Sequence, residues 1–239
     1  MATLVSEYTG IVTRERRWFL FMALLLVANA VVGFGYFKYA GISTFASPWW
    51  VHVHALTMVG WLGFFVLQNT LVVRGDIAAH RRLGMLGALY ACWIVAVGMF
   101  VGWYEVVTER NRPFDRPESL ALNWMNILAF AVLFLAAFRL RKRSDWHKRL
   151  MMCATICLAA PAYGRTLIMF GARTNTTFTL YIMAVIAIAM TGDYAIHRRV
   201  HPAWLFGLVA AALMGSLIGT LPLLAPFAAF ANGLAPAPR

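Results

Sequence analysis

The sequence is short of charge, and of acid above all. Only 13% of its 239 residues are Asp, Glu, Lys or Arg, and only nine are acidic. A soluble domain carries about a quarter charged residues, so a chain wetted over its whole surface is excluded. Cysteine is scarce too. Cys92, Cys153 and Cys157 all fall in apolar runs. Cys153 and Cys157 lie one helical turn apart, a poor geometry for a disulfide, and all three read as small packing thiols. There is no Cys-x-x-Cys-His motif, so covalent c-type haem is not expected. Nor is there a His-Glu-x-x-His, a Gly-x-Ser-x-Gly, a Walker loop or a dinucleotide fingerprint. No motif commits the chain to an enzyme.

Apolar residues are abundant, at 62% of the chain. Several runs reach the roughly 20 residues that cross a bilayer. In lipid every backbone polar group must be paired internally, and a helix does this within one segment. The hydropathy predicts helices at about 18–40, 49–72, 83–105, 119–140, 147–170, 176–198 and 203–230. The expected fold is an all-α integral membrane protein, a bundle of about seven transmembrane helices. A segment 1–17 precedes the helical domain 18–230, and a flexible tail 231–239 follows. Pro222 and Pro226 should kink or end the last helix. Arg14, Arg16 and Arg17 precede an apolar run too long for a signal-peptide core, so a retained first helix is expected.

The net charge of +12 would suggest nucleic acid in a soluble protein. Here its placement orients helices instead. With the N-terminus cytoplasmic, 14 Lys and Arg fall inside: Arg14, Arg16, Arg17, Arg74, Arg81, Arg82, Arg139, Arg141, Lys142, Arg143, Lys148, Arg149, Arg198 and Arg199. Six fall outside: Lys38, Arg110, Arg112, Arg116, Arg173 and Arg239. Arg165 lies within a helix. A multi-pass protein of a cell inner membrane is the expectation, with the lipid bilayer and not nucleic acid as its surroundings. The long connection from Glu105 to Glu118 reads as a solvated outer loop, stiffened by Pro113 and Pro117, with Ser119 offered as the next N-cap.

The residues that could carry chemistry sit at the membrane edges. On the second helix His54, Met58, Trp61, Phe65 and Gln68 recur at helical spacing and share one face. His and Gln on that face should look inward, since lipid penalises both. His52 points elsewhere. Arg165 is the costliest residue to place in hydrocarbon, at about 2.5–3.5 kcal/mol on insertion scales. It needs an anionic partner, and Glu105 is the nearest protein choice; a haem propionate or another anionic ligand would also serve. A short unit recurs at the inner edge: His80-Arg81-Arg82-Leu83, His147-Lys148-Arg149-Leu150 and His197-Arg198-Arg199-Val200. Asp76, Asp145 and Asp193 lie just upstream. His80 and His147, on separate helices, could hold one iron between two imidazoles, with Asp76 and Asp145 as supporting acceptors or caps. A zinc set of His80, His147, His201 and Asp193 is the competing arrangement.

His54, Trp61 and Gln68, with His80-Arg81-Arg82-Leu83-Gly84, His147-Lys148-Arg149-Leu150-Met151 and His201-Pro202-Ala203-Trp204, resemble a bacterial family of uncharacterised multi-span membrane proteins, over about residues 52–207. The resemblance implies a fold and no reaction. A more distant likeness, histidines at opposite edges of a helical bundle, is to the di-haem transmembrane cytochromes b. Such cytochromes pair ligands at both edges, whereas this chain offers His54 no outer partner from another helix. The leading expectation is a membrane electron-transfer protein that binds b-type haem or a quinone, with a redox partner. The alternative is a non-catalytic subunit or assembly factor of a larger membrane complex. A metal-dependent intramembrane hydrolase and a small-solute transporter rank below both.

Overall fold

The computed structural model describes residues 2–109, 114–172 and 174–234, with side chains from residue 9 onward. Arg110, Arg112, Pro113, Arg173 and Arg239 lie outside the described residues. The described residues form helices joined by short connections: α1 (Ala2–Tyr39), α2 (Trp49–Arg74), α3 (Ile77–Val107), α4 (Arg116–Arg139), α5 (Ser144–Leu158), α6 (Ala160–Met169), α7 (Asn175–His197), α8 (Pro202–Thr220) and α9 (Ala225–Asn232). Among the described residues six helices are long and apolar enough to cross a bilayer, or seven if α5 and α6, bent by 52° at their junction, count as one span. Pro161, in the first turn of α6, cannot donate to the helix ladder and accounts for the bend.

The prolines expected to interrupt the last run do so. A 3₁₀ turn at Leu221–Leu223 separates α8 from α9. The start of the tail expected to be loose, residues 231–234, is tied to the bundle; residues 235–239 lie outside the described residues. Ala231 is fully buried with Val106 and Leu120, and Arg116 donates to the carbonyls of Asn232 and Leu234 at 3.1 and 2.9 Å. At the other end, the first helix extends well before residue 18. The run of arginines there is helical, and Glu15 within it is buried.

Two turns set the basic edge. Gly75, at φ 80°, ends α2 in the left-handed conformation that glycine tolerates. Asp76 then caps α3 by accepting from the Ala79 amide at 3.0 Å. The cap of α4 is Asp115, which accepts from Glu118, and not Ser119, which lies one turn inside.

α5 is the centre of the bundle. Met152, Cys153, Ala154, Thr155, Ile156 and Cys157 have no exposed surface. α4 lies against α3, α5 and α8, and α1 against α2, α6 and α7. Gly207 lets α8 press directly onto Cys153, and Cys153 and Cys157 have the packing role read for the thiols, whereas Cys92 is exposed on α3. The outward faces remain apolar, with Val31, Leu56, Leu89, Val132 and Leu213 exposed. Lipid is the solvent such faces require.

Candidate functional site

The face of α2 looks inward as its spacing predicts. Trp61 and Phe65 are in the core and Gln68 is 8% exposed. Trp61 donates to Thr155 Oγ1 of α5 at 3.3 Å. His52, as expected, turns away and contacts the Ser47 carbonyl at 3.1 Å.

The first turns of α3 and α5 bring His80 and His147 together. Their ring centres are 6.4 Å apart and the rings cross at 74°. The Ala137 carbonyl lies 2.9 Å from His147 Nδ1. A carbonyl only accepts, so Nδ1 carries the proton and Nε2 keeps its lone pair. His80 Nδ1 is buried with no partner, and the backbone of Gln68 lies beside the same ring. Both amide atoms of the Gln68 side chain are also buried without a partner. Two imidazoles this close on separate helices would serve as nitrogen ligands to one metal. The support for the pair is backbone rather than carboxylate: Asp76 is spent as a cap, and Asp145 faces His201 Nε2 at 3.2 Å.

The zinc set is not assembled. Asp193, 1% exposed, is held by Arg149 through Nε at 2.8 Å and Nη2 at 2.7 Å, and accepts from Trp204 Nε1 at 2.8 Å. His201 stacks edge-on against Trp146 and pairs with Asp145. The Ala203 amide donates to His201 Nδ1 at 3.2 Å, so the neutral ring donates from Nε2. Burial, assisted by the Arg149 charge and opposed by Asp145 and Asp193, lowers the His201 pKa from its ordinary value.

Sequence reasoning missed the partners that complete this edge. Glu15 Oε1 meets Lys148 Nζ at 2.5 Å, His197 Nε2 at 2.7 Å and Arg149 Nη2 at 3.5 Å. Glu15, Asp193 and His197 are the one trio of metal-type ligands within reach of each other among the described residues. Two cations already neutralise its two carboxylates, so it is an ion-pair network rather than a metal centre. The available signal was an acid set among Arg14, Arg16 and Arg17 in an acid-poor chain.

At the opposite edge Arg165 is partly buried. Its guanidinium lies over Phe34 at 4.3 Å and Phe37 at 5.4 Å, and Nη1 donates to the Pro161 carbonyl at 2.9 Å. His54 and Glu105 are within its electrostatic range, but no ion-pair contact joins Arg165 to Glu105. Glu105 instead accepts from Asn123 at 3.1 Å, and His54 Nδ1 is buried without a partner.

No family model, no curated protein and no solved structure matches this chain.

Proposed function

We propose that this is a membrane electron-transfer protein that binds b-type haem between His80 and His147. The observation that carries the reading is the meeting of two imidazoles from separate helices, with ring centres 6.4 Å apart. A haem held by these two imidazoles would supply one-electron transfer. The chain's own contribution is orientation. The Ala137 carbonyl holds the His147 ring in one tautomer and raises its basicity. His80 presents a buried nitrogen with nothing else to bind. The 14-to-6 asymmetry of Lys and Arg supports a cytoplasmic position for this edge in an inner membrane.

The unpartnered Gln68 amide favours one second reading, a quinone whose carbonyl would take its hydrogen bond. Solvent extraction of the purified protein separates the two. Haem in the acid–acetone extract, in proportion to polypeptide, supports the main reading. Quinone without haem supports the second, and an extract holding neither contradicts both.

A further inference from the structure

A groove of about 460 Å³ opens at the basic edge between α1 and α7, away from the histidine pair. Arg14 and Arg17 border it, and Trp18, Phe21, Gly192, Ala195 and Ile196 complete its lining. The two arginines are three residues apart, so they stand on one side of α1. Both are exposed, and neither has a carboxylate within ion-pair distance among the described residues. That sets them apart from Lys148 and Arg149, whose charges are matched by Glu15 and Asp193.

The floor is preformed. Gly192 has no side chain, so the Trp18 ring lies directly on α7, where a Cβ would collide with it. Trp18 Nε1 donates to the Ala189 carbonyl at 3.0 Å, and its ring stacks on Phe21 at 5.4 Å between centres. Two more arginines, Arg198 and Arg199, follow Ile196 at the end of α7. The groove therefore combines unmatched positive charge at the membrane edge with a rigid apolar floor that runs into the span.

We infer that this groove is a binding site for an anionic phospholipid, with the phosphate at Arg14 and Arg17 and the start of an acyl chain on Trp18, Phe21 and Ala195. A free anion would use only the charges, and a neutral lipid only the floor. A lipid with a phosphate monoanion and no balancing ammonium uses both. Two arginines beside the phosphate should favour such a lipid over a zwitterionic one by roughly tenfold or more.

Native mass spectrometry of the full chain in detergent tests this, with phosphatidylglycerol and phosphatidylcholine of equal chain length. The expected result is a retained phosphatidylglycerol at concentrations where phosphatidylcholine leaves no adduct. The Arg14→Gln/Arg17→Gln variant should lose the preference. Ala195→Phe, which fills the floor at an exposed position, should weaken retention with both arginines intact. Circular dichroism and size exclusion matching the wild type would establish that both variants fold. Equal retention of the two lipids, an unchanged preference in the double variant, full retention in Ala195→Phe, or displacement by equimolar inorganic phosphate would each overturn the inference.

Discussion

Arg149 grips Asp193 with two hydrogen bonds, at 2.8 and 2.7 Å, and both residues are almost wholly enclosed. The pair links α5 to α7, and the Trp204 indole donates to the same carboxylate from α8. Removing one partner leaves the other charge buried and unmatched, which costs about 3–5 kcal/mol. Asp193→Asn and Arg149→Met should each lower the thermal midpoint in detergent strongly. The double variant Arg149→Met/Asp193→Leu should recover part of the loss. Additive losses would mean that the two side chains are not coupled.

Gln68 separates a ligand site from a packing accident. An unsatisfied buried amide costs about 1–3 kcal/mol, so Gln68→Leu should stabilise protein stripped of ligand. It should also shift the absorption or midpoint potential of loaded protein, because the backbone of Gln68 lies beside the His80 ring. A variant less stable in both forms would show that Gln68 has a protein partner.

His201 gives the basic edge a pH dependence of definite sign. Its folded pKa is lowered, chiefly by burial, from an ordinary value of about 6.5. The neutral ring therefore contributes stability that is complete above about pH 6.5 and is lost as pH falls through the depressed folded value. Protonation of Nδ1 would also end its acceptance from Ala203. His201→Asn keeps a capping side chain without titrating. Thermal unfolding should show the wild type losing more stability than His201→Asn between pH 7.5 and pH 5. Parallel curves would contradict the assignment.

Arg116 fastens the C-terminal end of the chain through the carbonyls of Asn232 and Leu234. Arg116→Ala should expose α9 to proteolysis and speed its amide exchange, while α2 to α5 keep their protection. Unchanged exchange in α9 would show that burial of Ala231 suffices to hold it.

The spans were legible because lipid leaves hydropathy undisguised: each predicted run is helical, but the one at 147–170 is broken into α5 and α6, a bend that Pro161 marks, and Pro222 and Pro226 mark a second break. The meeting of His80 with His147 was legible from their repeated place at the start of a helix. The role of Glu15 was not. Its contacts reach across 134 residues to Arg149 and 182 to His197, and no local period encodes such pairing. The basic run around Glu15 reads as an orientation signal, which hides an acid turned inward. Asp193 was singled out, but as a metal ligand, because its bidentate partner lies on another helix.

His80 and His147 are proposed to hold one redox group between them. The dithionite-reduced minus oxidised absorption spectrum tests this most directly, recorded for the wild type and for His80→Ala, His147→Ala and His54→Ala. The expected result is a Soret and α band in the wild type, loss of both in His80→Ala and in His147→Ala, and their retention in His54→Ala. A featureless wild-type spectrum, or bands that survive both inner substitutions, would contradict it.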